Sequence, residues 1–245
     1  MPDPRLAGLR RIAVVPALNE AASIQSVIAE VRAFDPEFEV VVVDDGSTDA
    51  TAQLAGEAGA HVVRLPFNLG IGGAVQTGYQ FARDYGFDLA VQVDGDGQHD
   101  PDQIPLLLGP LLDGSVDMVV GTRFAGEGGY RAPLGRRIGI GIFARVVSLV
   151  VGQRVTDTTS GFRACNRKAI QLFAADYPHD YPEVEGTILV FKHRLRMAEV
   201  PVAMRARAGG RSSIGTASSA YYMVKVLLAI FIGLFRRKPT PLEER

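Results

Sequence analysis

Five short apolar runs punctuate the first half of the chain. Residues 11–17 (RIAVVPA), 39–44 (EVVVVD), 61–65 (HVVRL), 88–94 (DLAVQVD) and 117–122 (DMVVGT) are brief and rich in β-branched side chains. Between most of them lie stretches with apolar positions three and four apart, at residues 21–34, 48–58 and 73–85. A strand that is apolar along its whole length is covered on both faces. The pattern therefore predicts an α/β fold, a mostly parallel sheet flanked by helices on both sides. In such sheets ligands bind outside the carboxyl ends of the strands, and the acidic clusters of this sequence fall at those ends.

With 245 residues, 47% of them hydrophobic, the chain can bury a core as one large domain or two small ones. Its single cysteine, Cys165, excludes an internal disulfide framework and fits a reducing compartment. The start, MPDPRLAGLRRIAVVPALNE, has no sustained apolar stretch before a cleavage site, so a cytoplasmic protein is expected. The net charge of −1 conceals an asymmetry. Residues 1–120 carry 6 Lys and Arg against 18 Asp and Glu, whereas residues 121–245 carry 20 against 9. Two solvated faces explain this; so does an acidic half that holds a cation beside a basic half that receives anions. No repeat or low-complexity segment is visible.

The strongest chemical signal is LAVQVDGDGQHDPD, residues 89–102, where an apolar run ends in Asp94, Gly95, Asp96, Gly97, Gln98, His99 and Asp100. Gathering carboxylates this closely is unfavourable unless a cation sits among them. In an extended segment residues two apart point the same way, so Asp94 and Asp96 can face one site. Such hard oxygen ligands favour Mg²⁺ or Mn²⁺, which commonly keep phosphate oxygens and water in their remaining positions. Gln98 and His99 come next and can support the site. A polar turn after a strand is the plain alternative. A second acidic pair, Asp44 and Asp45, at another strand end adds weight to the metal.

That second pair opens DDGSTDATAQL. Gly46 turns the chain and Ser47 or Thr48 can cap the next helix. Two adjacent acids before a cap suit hydrogen bonds from ribose hydroxyls or a base N–H. After the first strand, PALNEAASI offers Ala17 or Asn19 as a helix start, with Glu20 in the first turn, where an acid suits the helix dipole. The glycine-rich NLGIGGAVQTGY has Val75 where a dinucleotide loop has its third glycine, and no G-K-[ST] follows. Its glycines fit a tight helix start and close backbone approach.

In this order, VVPALNE, VVVDDGSTD, NLGIGGAVQTGY, VQVDGDGQHDP and VVGTRF resemble the family 2 glycosyltransferases with the GT-A fold. Within them the chain is similar to the branch that loads a sugar onto polyprenyl (dolichyl-type) phosphate, from about Arg11 to about Ser213. The resemblance implies an inverting, metal-dependent transferase using a nucleoside-diphosphate sugar. It places Pro16, Asn19, Glu20, Asp44, Asp45, Gly72 and Asp94 on the nucleotide. Asp96 and Gln98, with Asp94 beside them, would hold Mg²⁺ or Mn²⁺. Arg123 of GTRF, Arg136 and Arg137 of LGRRIG, and Ser160, Gly161 and Arg163 of TDTTSGFRACNR resemble the acceptor side. A hydroxyl, an unhindered N–H and a planar fork of donors suit a phosphate. Asp96, Arg123 and Arg163 are thus the catalytic candidates. A phosphate acceptor is largely ionised near neutral pH, so it needs positioning and charge screening more than a strong general base.

Arg207 and Arg211 lie in RARAGGRSSIG, which resembles a loop that closes over the donor; a linker to the C-terminal segment is the competing reading. Glu183 can orient a donor sugar or pair with an arginine, and Glu185 fits a structural ion pair. Dolichyl-phosphate-mannose synthases typically carry S-P-D-G after the two acids, where this chain has Gly46, Ser47, Thr48 and Asp49. The difference favours a UDP-hexose or UDP-N-acetylhexosamine over GDP-mannose.

Residues 1–10 read as a tail, 11–215 as the catalytic domain, 216–238 as an apolar, amphipathic helix and 239–245 as a second tail. As a helix, 220–235 spans about 24 Å, against a hydrocarbon core of ~30 Å. With Lys225 inside it and Arg236, Arg237 and Lys238 closing it, the segment suits a membrane surface or a small membrane-protein partner. Residues 138–152 suit the bilayer and a buried core equally. The expectation is a peripheral protein on the cytoplasmic, inner face of the membrane, with polyprenyl phosphate as acceptor and no nucleic acid as partner. A non-lipid acceptor (polysaccharide or protein) on the same donor site is the alternative. A non-catalytic sugar-nucleotide sensor is the third reading.

Overall fold

A computed structural model gives the fold and describes residues 3–123, 134–179 and 181–205. Arg207, Arg211 and the expected helix at 216–238 lie outside these residues. The seven described strands form one sheet in the order β3-β2-β1-β4-β6-β5-β7. They are β1 (Arg11–Ala17), β2 (Phe38–Asp44), β3 (His61–Arg64), β4 (Leu89–Gln92), β5 (Met118–Thr122), β6 (Arg163–Asn166) and β7 (Met197–Pro201). Strands β1 to β4 run parallel, as do β5 and β7. Strand β6 lies antiparallel between β4 and β5. The five apolar runs are β1 to β5. The sequence pattern missed β6 and β7 because RACN begins and ends in polar groups and MAEVP is only part-buried.

Strand β1 is buried at every position, and its alternation divides two cores. Ile12 and Val14 face α3 (Gly70–Asp84), α6 (Arg167–Ala175) and α7 (Pro182–Lys192). Ala13, Val15 and Ala17 face α1 (Ile24–Phe34) and α4 (Ile104–Leu112). Helix α3 lies almost directly on β1, because a Cβ at Gly78 would come within 2.1 Å of Val14 Cγ1. At the amino end of β1, Arg11 makes a buried pair with Asp35, Nε to Oδ2 at 2.7 Å.

Two helix starts differ from the expectation. Helix α1 begins at Ile24, because the Glu20 carbonyl accepts the N–H groups of both Ser23 and Ile24 in a preceding turn. Helix α2 (Thr51–Glu57) begins after Asp49, whose Oδ1 accepts the Thr51 N–H at 2.9 Å. Ser47 does not cap it; its hydroxyl accepts the N–H of Asn19 at 2.9 Å. Helix α5 (Leu134–Val151) contains Arg136 and Arg137 in its first turn.

Candidate active site

The strand order reverses direction at β1, with β2 and β3 on one side and β4 on the other, which opens a crevice at the carboxyl ends of β1 and β4. Asp44 ends β2 at this edge, Asp45 follows it, and the two are used differently. Asp44 is fully buried; it accepts from Ser47 N–H at 3.0 Å and pairs with Arg64 Nε at 3.2 Å. Asp45 makes no salt bridge among the described residues. Its Oδ1 accepts the Leu69 N–H at 2.7 Å. Burial pushes the Asp45 carboxyl above its ordinary range, against the pull of the Leu69 and Gly70 N–H groups. Gly46 permits this arrangement: its φ is +80°, and a Cβ there would stand 3.0 Å from Asn68 N.

The loop after β1 is laced to the loop after β2. Asn19, at φ 55°, accepts from Thr48 N–H at 2.9 Å, and Glu20 N–H donates to Thr51 Oγ1 at 2.9 Å. The same loop reaches the acidic turn after β4: Ser23 Oγ donates to Gly95 O at 2.7 Å, and a Cβ on Gly95 would lie 3.2 Å from Pro16 O. Gly72, expected among the nucleotide contacts, is buried under the chain at Pro178 and His179. A Cβ there would lie 2.4 Å from Pro178 O, so packing alone demands glycine.

In the acidic turn, Asp94 N–H donates to His99 Nδ1 at 3.0 Å, which in a neutral ring leaves the His99 proton on Nε2, 3.6 Å from Asp94 Oδ2. The His99 ring stacks on Phe162 at 4.6 Å. Asp96 is buried, and its Oδ1 accepts the Gln98 N–H at 3.0 Å. The Asp94 side chain is 33% exposed. Among the described residues no group of three or more His, Cys, Asp or Glu side chains forms a cage for a metal ion. Two carboxylates with few further protein ligands fit Mg²⁺ or Mn²⁺, because these ions take much of their coordination from substrate phosphates and water.

From the basic half, residues 156–163 fold against this turn. Gly161 lies beside Asp94: a Cβ on it would be 3.4 Å from Oδ1 and 3.6 Å from Oδ2. Arg123, at the end of β5, donates to both oxygens of Asp157 and to Thr159 Oγ1 at 2.6 Å. Burial raises the Asp157 carboxyl pKa, but the Arg123 guanidinium and the N–H groups of Arg123 and Thr159 together outweigh it and the net shift is downward. Glu199 of β7 secures the segment by accepting the N–H groups of Thr156 and Asp157.

Ser160 is buried, and its Oγ accepts from Phe162 N–H at 3.3 Å. Arg163, expected on the acceptor phosphate, is only 1% exposed. Its Nε donates to Ser160 O at 3.0 Å and its Nη2 to Glu183 O at 2.5 Å, so it underlies the site. Glu183 opens α7 part-buried, and its carboxyl is raised by burial, with Arg163 opposing and Asp94 reinforcing the rise. Sequence reasoning passed over Gln92, Asp157, Thr159 and Glu199. A glutamine inside an otherwise apolar strand was the available signal for the first, and the TDTT run for the next two.

Among the described residues no helix is long and apolar enough to cross a membrane. Known proteins share both fold and sequence with this chain. The structure of glucosyl-3-phosphoglycerate synthase from Mycobacterium tuberculosis with Mn²⁺, UDP and glucosyl-3-phosphoglycerate superposes with a TM-score of 0.69 at 27% identity, over 92% of this chain and 81% of that one. The undecaprenyl-phosphate mannosyltransferase of Micrococcus luteus is 29% identical over 222 residues, 84% of this chain and 88% of its own. The UDP-N-acetylglucosamine–dolichyl-phosphate N-acetylglucosaminyltransferase of Methanococcus voltae is 29% identical over 209 residues, 77% of this chain and 83% of its own. The family model for glycosyl transferase family 2 matches residues 12–173, from β1 into α6 and through the whole acidic edge. The chain belongs to that family and is a GT-A-fold glycosyltransferase.

Proposed function

We propose that the protein transfers a hexose or N-acetylhexosamine, with inversion, from a UDP-sugar to a polyprenyl phosphate at the cytoplasmic face of a membrane. The observation that carries this reading is the acidic turn of Asp94 and Asp96 at the strand-order reversal, with Gly161 of the basic half beside Asp94. Both substrates are phosphates, and the site pairs a metal-type carboxylate set with a segment anchored by Arg123. The Methanococcus voltae relative is named for a UDP-sugar and a dolichyl phosphate, and the solved neighbour holds UDP and Mn²⁺; both support the donor. Residues 11–215 form the catalytic unit in this reading. Residues 216–238 bring it to the membrane surface or to a small membrane-protein partner.

Each group then has a defined task. Asp45, the acid of its pair with no cation partner among the described residues, accepts from the base or ribose. The laced loops of Asn19, Ser47 and Thr48 keep that acid in place. Asp94 and Asp96, with Gln98 near, would hold Mg²⁺ or Mn²⁺, which would neutralise the charge growing on the departing diphosphate. Arg123, fixed by Asp157, screens the acceptor phosphate, with Arg136 and Arg137 completing the cationic side. The acceptor oxygen is already ionised, so orientation and charge screening are the chain's main contributions.

The test is a radiolabel transfer assay with the full chain, a short polyprenyl phosphate, detergent, Mn²⁺ or Mg²⁺, and a panel of UDP- and GDP-sugars. A chloroform-soluble, mild-acid-labile product from a UDP-sugar is the expected result. Product from GDP-mannose alone would correct the donor. The solved neighbour's bound product, glucosyl-3-phosphoglycerate, supports a second reading in which the acceptor is not a lipid. Transfer only to water-soluble acceptors would establish that one.

A further inference from the structure

The sheet face beneath the acidic turn changes character over three rungs. Ala90 pairs with Cys165 in the apolar core. One rung nearer the edge, Gln92 pairs with Arg163. Beyond them Asp94 stands beside Gly161. Directly opposed residues of an antiparallel pair share a face, so Gln92 and Arg163 form a polar layer between the core and the Asp94 carboxylate. Both are nearly inaccessible, at 2% and 1% exposure.

This layer is incompletely bonded. Gln92 Oε1 and Arg163 Nη1 are buried with no hydrogen-bond partner. Buried polar atoms left in this state are unfavourable, and an apolar side chain at position 92 would avoid one of them. The other end of the Gln92 amide indicates its use. Nε2 points at Asp94 Oδ1 at 3.5 Å, a long contact of the kind that tightens when a ligand is bound. Gly161 makes room for it, since a Cβ there would press within 3.0 Å of Gln92 Nε2. Gly186 makes room for Arg163 in the same way, with a would-be Cβ 3.2 Å from Nη1.

We propose that Gln92 is a positioning residue that, braced by Arg163, fixes the rotamer of Asp94 for donor binding. The amide is oriented with its N–H toward Asp94 and its oxygen away, since the reverse would set two oxygens against each other. The inference rests on the functional reading above, in which Asp94 meets the donor and its metal.

The test is a double-mutant cycle on the full chain, read by calorimetric titration of UDP in the presence of Mn²⁺, with thermal unfolding alongside. Gln92→Leu is expected to keep Tm within a few degrees of the parent and to raise the Kd for UDP with Mn²⁺ by about tenfold. Gln92→Glu keeps the shape but loses the N–H donor, and is expected to weaken binding at least as much, which covers a Leu variant that fails to fold. In an Asp94→Asn background, Gln92→Leu should weaken binding no further. Unchanged affinity in both Gln92 variants, or single effects that multiply in the double variant, would overturn the inference while leaving the functional reading intact. A parent protein that binds no UDP with Mn²⁺ would overturn both.

Discussion

Arg123 and Asp157 meet in a two-point clasp, Nε to Oδ2 at 2.8 Å and Nη2 to Oδ1 at 2.9 Å. Asp157 is fully buried and the Arg123 side chain 15% exposed, so the pair is largely desolvated. Removing one partner of such a pair leaves an uncompensated charge, at a cost of roughly 3–5 kcal/mol. Asp157→Ala should lower stability by that order in a denaturant titration, and the protein that remains folded should lose acceptor affinity more than donor affinity. Equal loss for both substrates would separate Arg123 from the acceptor.

The same clasp sets an acid limit. The Asp157 carboxyl titrates below its ordinary value in the folded protein, and so does Asp35 beside Arg11. Groups depressed by folding stabilise the native state above their unfolded pKa, and that contribution is lost as pH falls through the folded value. The stability that these two groups supply should therefore be level through neutral pH and fall progressively below about pH 4. Denaturant midpoints measured from pH 7 to pH 3 check this. In Asp157→Asn the fall should be shallower.

Asp96→Asn should reduce transfer by roughly two orders of magnitude or more while moving Tm little, because charge stabilisation at the leaving group is lost while the amide keeps the shape and an oxygen for the Gln98 N–H. Mn²⁺ titration of the variant should show weakened binding. Full turnover would remove Asp96 from the site.

Gly78→Ala and Gly72→Ala should each destabilise by about 1–3 kcal/mol through overpacking, since their new Cβ atoms meet Val14 Cγ1 at 2.1 Å and Pro178 O at 2.4 Å. The informative variant is Gly72→Ala. If its glycine serves packing, nucleotide affinity of the folded fraction will match the parent while the denaturant midpoint falls.

Cys165 is buried beside Tyr79, and burial pushes its thiol up to about 12. A thiol held protonated is a poor nucleophile. A thiol-reactive chromophore should label the native protein only at the rate of unfolding, and label it at once in denaturant.

Much of the acidic half was legible in the sequence. The runs at 11–17, 39–44 and 61–65 reappear as β1, β2 and β3 within a residue at each end, because strands covered on both faces are written in uninterrupted apolar letters. The acids at strand ends were likewise visible, since carboxylates so close together need a reason. What each acid touches was not. Asp44 and Asp45 are identical neighbours in sequence, and only the fold turns one to Arg64 and the other to the backbone of Leu69. Strand β6 was hidden because its alternate positions, Arg163 and Cys165, face a layer that is polar near the edge and apolar further in. Arginine in a short segment reads as surface or as phosphate ligand; burial under a sheet edge is a tertiary fact with no local signature.

The insertion of β6 between β4 and β5 also governs the order in which the molecule can assemble. Strand β4 is followed by its own acidic turn, yet one of its two neighbours is made some seventy residues later, from the opposite end of the charge gradient. Loop-closure entropy must be met before that contact contributes anything. During synthesis, the first four strands can pair as a parallel half-sheet whose β4 edge stays open until Asn166 has left the ribosome. The acidic and basic halves are therefore not separable modules. A chain cut after β5 would expose an unpaired strand edge and aggregate, and the carboxylates of the turn would have no floor to stand on.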